Sequence, residues 1–119
     1  MIPKIYDFRD RYKNDTSGKV SFVATQTIDE VTTPIDLTGV TIRMDIKSNK
    51  NSTVSELTLT IGNGITVTNA VNGEFEIDAF LCTLNAYNYC YDLEFTFPTG
   101  VVQTWIRGNF NVIQDVTYG

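Results

Sequence analysis

At 119 residues, with 42% hydrophobic and 19% charged side chains, the chain has the size and composition of one globular domain with a single core. A formal charge of −5 and a pI of about 4.5 argue against nucleic acid and anionic membrane surfaces as partners, because binding either needs clustered Lys and Arg. The absence of histidine removes the commonest general base and any Cys–His zinc pattern, and the two cysteines, Cys82 and Cys90, read as free thiols.

Residues 1–18, MIPKIYDFRDRYKNDTSG, read as an N-terminal arm ahead of a domain at 19–119. Lys4, Arg9, Arg11 and Lys13 alternate there with Tyr6, Phe8 and Tyr12. A solvated terminus is the ordinary fate of such a segment. The sharper expectation is an arm that docks on another subunit, with Tyr6, Phe8, Arg9, Arg11 and Tyr12 as its contact residues. The segment lacks the apolar core of a signal peptide, and no apolar run approaches the roughly 20 residues of a membrane-spanning helix. A soluble chain that is not exported by the general route is expected.

Asp15-Thr16-Ser17-Gly18 forms a turn cluster. Lys19 to Ile28 alternates as a first strand, with Val20, Phe22 and Ala24 inward, and Asp29 to Pro34 reads as a loop. After Ile35-Asp36-Leu37-Thr38-Gly39, the positions Val40, Ile42, Met44 and Ile46 alternate with Thr41, Arg43, Asp45 and Lys47, which is the pattern of a half-buried strand. Val54 to Ile61 gives another strand, broken by Gly62-Asn63-Gly64, and Ile65 and Val67 continue in a short one. Asn72-Gly73 signals a two-residue type I′ hairpin leading to Phe75 and Ile77. Asp78 to Ala86 is the only helical candidate, with Asp78 as its cap and Phe80, Leu81 and Leu84 over one end of the core.

The longest feature is the hairpin from Tyr87 to Ile113. Tyr87, Tyr89, Tyr91, Leu93, Phe95 and Phe97 share one parity, so one face of the outgoing strand is aromatic while Asp92 and Glu94 lie on the other. Pro98-Thr99-Gly100 suits a three-residue loop closed by a left-handed glycine. On the return strand Val102, Ile106, Phe110 and Val112 share a face. About seven strands at intervals near ten residues predict an all-β, antiparallel two-sheet sandwich with an extended N-terminal arm. Tyr89 or Tyr87 is placed to form a tyrosine corner, in which the hydroxyl satisfies nearby backbone.

Three landmarks stand in order: Ile35-Asp36-Leu37-Thr38-Gly39, then Tyr89-Cys90-Tyr91-Asp92-Leu93-Glu94-Phe95, then Gly108-Asn109-Phe110-Asn111-Val112 followed by Asp115-Val116-Thr117. Together they resemble a small immunoglobulin-like domain of tailed-bacteriophage structural proteins, known from the N-terminal domains of baseplate upper proteins and of related head and fibre proteins. The resemblance covers roughly residues 15–117. It implies a docking or structural module in the virion, with other virion proteins and copies of itself as partners, and no catalytic residues or cofactor.

The residues themselves point to little chemistry. Asp92 and Glu94 share an outward strand face and read as solvated, edge-protecting charge. Asn14-Asp15-Thr16-Ser17-Gly18 is a fragment of a calcium loop without the rest. Trp105 has the opposite parity to Ile106, Phe110 and Val112. Core registry would turn it outward, where it would stack on a sugar or anchor an interface, whereas a bulge near Gly108 would bring it inside. Two functions follow: a non-enzymatic virion structural protein (auxiliary capsid, head-fibre or tail component), or a host-surface carbohydrate-binding module built on Trp105.

Overall fold

A computed structural model of the chain describes residues 4–14 and 16–113. The elements are β1 (Lys4–Ile5), β2 (Arg11–Tyr12), β3 (Thr16–Ser17), β4 (Val20–Val23), β5 (Thr25–Ile28), β6 (Val31–Pro34) and β7 (Thr41–Lys47). They continue with β8 (Leu57–Ile61), β9 (Gly64–Asn69), β10 (Glu74–Ile77), β11 (Phe80–Leu81), β12 (Tyr87–Thr96) and β13 (Val102–Ile113). The fold is all-β, and the described residues contain no helix. The turn expected at Asp15 and the landmark Asp115-Val116-Thr117 lie outside the described residues.

The expected pair of separate antiparallel sheets is replaced by one continuous mixed sheet of nine strands, in the order β1-β13-β12-β7-β8-β9-β10-β4, with β2 also pairing β13. Two-stranded sheets β3–β11 and β5–β6 complete the fold. The sheets merge because Gly62-Asn63-Gly64 does more than break a strand. Thr60 pairs with Gly64 and Ile61 with Ile65 in parallel, so the chain makes one full turn and steps sideways from β8 to β9. Gly62 and Gly64 have φ of 84° and 102°, values that side chains with a Cβ rarely adopt. Beyond this step the sheet curls, so that Phe22 on β4 and Phe75 on β10 face β12 and β13. The Phe75 ring lies 5.9 Å from Phe95 and 5.7 Å from Trp105, and Phe22 lies 6.1 Å from Trp105.

The alternation on β7 and β12 is as the sequence dictates. Ile42, Met44 and Ile46 point inward, as do Tyr89, Tyr91, Leu93 and Phe95. The Pro98-Thr99-Gly100 loop forms with Gly100 at φ 90°, its N–H donating to the Phe97 carbonyl at 2.8 Å. The Tyr89 hydroxyl donates to the Asn85 carbonyl at 2.8 Å, four residues upstream, which closes a tyrosine corner. The Asn72-Gly73 hairpin is present with a different turn. The Gly73 N–H donates to Ala70, so the loop is Ala70–Gly73, and Gly73 (φ 73°) is its left-handed residue.

Trp105 corrects an expectation. Leu93 pairs with Ile106, but Glu94 pairs with Thr104, so Trp105 is the extra residue of a β-bulge. The bulge switches parity and puts Trp105 and Ile106 inside together, each 3% exposed. Trp105 stacks on Phe95 at 5.5 Å. Upstream of the bulge Val102, expected inward, is 55% exposed.

Two loops also differ from expectation. Residues 78–86 form no helix. Phe80 and Leu81 pair with Ser17 and Thr16, and Asn14 donates to the Cys82 carbonyl at 2.7 Å. Nine residues are too few to nucleate a helix in competition with such strand partners. Asp29 to Pro34 is the turn and return strand of a hairpin, in which Thr25, Gln26, Thr27 and Ile28 pair with Pro34, Thr33, Thr32 and Val31. The hairpin is rooted at Gly73. Ala24 donates to the Gly73 carbonyl and Ile35 to the Ala24 carbonyl, both at 2.8 Å, while a Cβ at Gly73 would sit 2.5 Å from the Ala24 oxygen.

Gly108 has a comparable role on the other side of the sheet. A Cβ there would collide with the Tyr6 carbonyl and lie 2.8 Å from Asp7 Oδ1. Gly108→Ala is therefore expected to push the N-terminal segment off β13 and lower stability by about 1–3 kcal/mol. Hydrogen exchange should show the Tyr6 and Phe8 amides losing protection before the rest of the sheet.

Candidate functional site

The contact residues expected on the N-terminal arm are distributed by one geometric fact: the segment lies along β13 of its own chain. Lys4 and Ile5 pair in parallel with Ile106 and Arg107, and Arg11 and Tyr12 with Val112 and Ile113. Between these pairs the Tyr6 N–H donates to the Arg107 carbonyl at 2.9 Å, and the Phe8 N–H to the Asn109 carbonyl at 3.0 Å. The Asn109 N–H in turn donates to Asp7 Oδ1 at 2.9 Å. The division drawn at residue 18 therefore cuts through a sheet.

Phe8 is 5% exposed, with its ring 4.8 Å from Tyr91 and 5.4 Å from Phe110. The Tyr91 hydroxyl donates to the Tyr6 carbonyl. Burial pushes this phenol well above its ordinary pKa, so it remains a donor. The Arg11 guanidinium sits 5.6 Å from the Phe8 ring centre and 6.0 Å from that of Phe110, within range of a cation–π contact. Phe8 and Arg11 thus use their aromatic and cationic character inside the chain.

What this docking leaves on the surface is a basic cleft of about 490 Å³. Its walls are Tyr6, Arg9 and Arg11 from the N-terminal segment and Lys19, Val20 and Ser21 from the approach to β4. Three of the sequence-predicted contact residues, Tyr6, Arg9 and Arg11, meet there. Phe8, Tyr12 and Trp105 do not line it. Lys19 completes the cationic set; in the sequence it is only a basic residue at the edge of the N-terminal segment, since its position beside Arg9 depends on β4 and that segment lying together. Lys19 Nζ is 3.6 Å from Glu76 Oε2. Arg9 and Arg11 have no ion-pair partner among the described residues.

A second cleft of about 520 Å³ lies on the outer face of β12 and β13, with Asp7, Lys47, Cys90, Asp92 and Arg107 among its walls. Its charges are of both signs. The Cys90 thiol is occupied with the Lys47 carbonyl, at 3.7 Å. Cys82 and Cys90 are both free thiols. No three Asp, Glu or Cys side chains gather as a metal site among the described residues.

Asp45 and Asp92, cross-strand neighbours on this face, titrate in opposite senses. Burial resists ionisation of Asp45, but donors prevail: Arg43 Nε at 3.0 Å, Thr58 Oγ1 at 2.8 Å and Ser55 Oγ at 2.9 Å hold its carboxyl below the usual range. Asp92 has no such donors. Burial raises its pKa, the Asp45 charge adds to this, and Lys47 only partly offsets it.

Comparisons with protein-family models, with curated proteins and with solved structures found no match to this chain.

Two outcomes follow for stability. Phe8→Ala should cost about 3 kcal/mol in chemical denaturation, and deleting residues 1–14 should unfold the domain rather than merely strip a tail from it. For Asp92, the raised native pKa means that the folded state binds the proton more tightly than the unfolded state does. Its contribution to stability therefore falls as pH rises from the unfolded value through the native one, and at neutral pH the ionised group is a net burden. Asp92→Asn should raise the denaturation midpoint at pH 7, with the gain shrinking as pH drops below the native pKa. Asp45→Asn should do the reverse, lowering stability at neutral pH and least so in acid.

Proposed function

We propose that this chain is a non-enzymatic structural subunit of a tailed-bacteriophage virion, an auxiliary capsid, head-fibre or tail component, assembled in the bacterial host and docked on neighbouring virion subunits and copies of itself. The observation that carries the docking role is the β5–β6 ribbon. From Gln26 to Pro34 every residue is exposed, and Ile28 and Val31 are 63% and 60% exposed. A two-stranded ribbon alone in water is marginally stable at best, so one held out from the domain is made for a partner to cover.

The virion assignment rests on the resemblance in sequence, and the local structure of its landmarks supports the immunoglobulin-like reading. Asp36 Oδ1 accepts from the Thr38 N–H at 2.9 Å, Gly39 turns at φ 74°, and Tyr89 closes its corner onto Asn85. In this reading the two facing layers of the curled sheet, β13-β12-β7-β8 and β9-β10-β4, correspond to the two sheets of the sandwich, joined at the Gly62-Asn63-Gly64 step. The carbohydrate-binding alternative depended on an exposed Trp105. With that indole stacked on Phe95 in the core, it has lost its platform.

Mass spectrometry of gradient-purified particles of the phage that encodes this chain tests the proposal. Several copies per virion, retained through high-salt washing, are expected. A protein abundant in infected-cell lysate and absent from washed particles would overturn it.

A further inference from the structure

We infer that the acidic tip of the β5–β6 hairpin of one copy of this chain inserts into the basic cleft of a second copy, so that the molecules join head to tail. The inference deepens the docking role proposed above by naming the partner, and rests on that reading for its biological setting.

The tip has two unusual properties. Its turn residues, Asp29 and Glu30, both have left-handed backbones, at φ 50° and 65°. This is the geometry of a type I′ turn, for which Asn-Gly is the favoured pair. Glu gains nothing in that conformation, because its Cβ crowds the backbone there. Backbone strain kept where a commoner turn sequence would relieve it points to a use for the side chains. The second property is that neither carboxylate has an ion-pair partner among the described residues. Ile28 and Val31 sit directly opposite each other behind the turn, giving an apolar pair under an acidic point.

The cleft is the complement of that shape and charge. Arg9, Arg11 and Lys19 surround it, and the half-buried Tyr6 and Val20 supply apolar wall. Unlike the second cleft, which mixes cations with Asp7 and Asp92, this one is lined by three cations and no carboxylate, with only Lys19 paired, to Glu76, and it suits an anionic protrusion. The same molecule cannot fill its own cleft. β4 starts at the cleft with Val20 and runs on through Ala24 into β5, so about 25 Å of near-extended chain separates Val20 from Ile28. The Ala24 and Ile35 hydrogen bonds fix the root of the hairpin in between. The molecule is long, 53 × 29 × 26 Å, with a radius of gyration of 15.1 Å against about 13.5 Å for a compact domain of this length. Because tip and cleft are different surfaces, the contact is heterologous, and repeating it makes a ring if the rotation closes or a filament if it does not.

Charge reversal tests this on the full chain, read by sedimentation velocity and light scattering. The wild type should self-associate at low salt and dissociate as salt rises. The variants D29K/E30K and R9E/K19E should each weaken association at least tenfold. An equimolar mixture of the two should recover it, because each then offers a tip that fits the cleft of the other. D29N/E30G installs the favoured turn without charge. It should slow amide exchange in the hairpin and still lose association, which separates charge from folding. A wild type monomeric at every salt concentration, a D29N/E30G variant that associates like the wild type, or a mixture of folded reversal variants that stays monomeric would each overturn the inference. Association is independent of whether the chain is found in virions. A particle-bound protein that does not self-associate removes only this inference, and a self-associating protein absent from particles removes only the virion reading.

Discussion

The bulge at Trp105 is the constraint on which the rest of the structure depends. One extra residue on β13 sends two consecutive large side chains, Trp105 and Ile106, into the same core. Trp105 then bridges the layers, stacked on Phe95 from its own side and meeting Phe22 and Phe75 edge-on from the other. Each such aromatic pair contributes on the order of 1 kcal/mol beyond the area it buries. Without the bulge the indole would face solvent and the curled sheet would have to close over a gap. The register that the bulge sets also puts Gly108 where the N-terminal segment crosses, because the inward parity downstream runs through Ile106, Gly108, Phe110 and Val112.

That crossing changes what the N-terminal residues are for. A segment rich in aromatics and cations looks like a tail made to reach another molecule. Here its hydrogen bonds go to β13, its phenylalanine completes an aromatic cluster, and one of its arginines covers that cluster from above. Docking the segment concentrates charge rather than using it up. Arg9 stays on the surface, Arg11 is held at the cleft, and both come beside Lys19, so a segment that reads as a contact arm becomes one wall of a basic cleft.

The surface then divides into parts with different physics. The outer face of β7 and β12 carries charges that largely satisfy one another, Asp45 with three donors and Asp92 destabilised beside it. Arg9 and Arg11 of the basic cleft and the two carboxylates of the hairpin tip lack ion-pair partners among the described residues, while Lys19 is paired with Glu76. Unpaired charge in shaped complementary surfaces favours recognition and orientation of a partner, whereas the thiol of the mixed outer cleft is occupied with the Lys47 carbonyl.

The sequence by itself determined the all-β class, the inward faces of β7 and β12 and the Pro98-Thr99-Gly100 loop, and it narrowed the tyrosine corner to Tyr89 or Tyr87. These depend on local parity, turn chemistry and residues a few positions apart. It also singled out Tyr6, Arg9 and Arg11, because composition alone marked their segment. Tertiary structure decided everything that depends on which strands meet. The bulge that buries Trp105 is a mismatch between two strands and exists in neither one alone. The glycines at 62 and 64 look like a simple break until the pairing of β8 with β9 turns them into the step that joins two layers. Phe80 and Leu81 have a helical spacing that yields to partners at Thr16 and Ser17. The hairpin at Asp29-Glu30 stayed hidden because its turn uses residues that rarely adopt left-handed backbones, so only the structure shows that the acidic loop is the tip of a projecting ribbon.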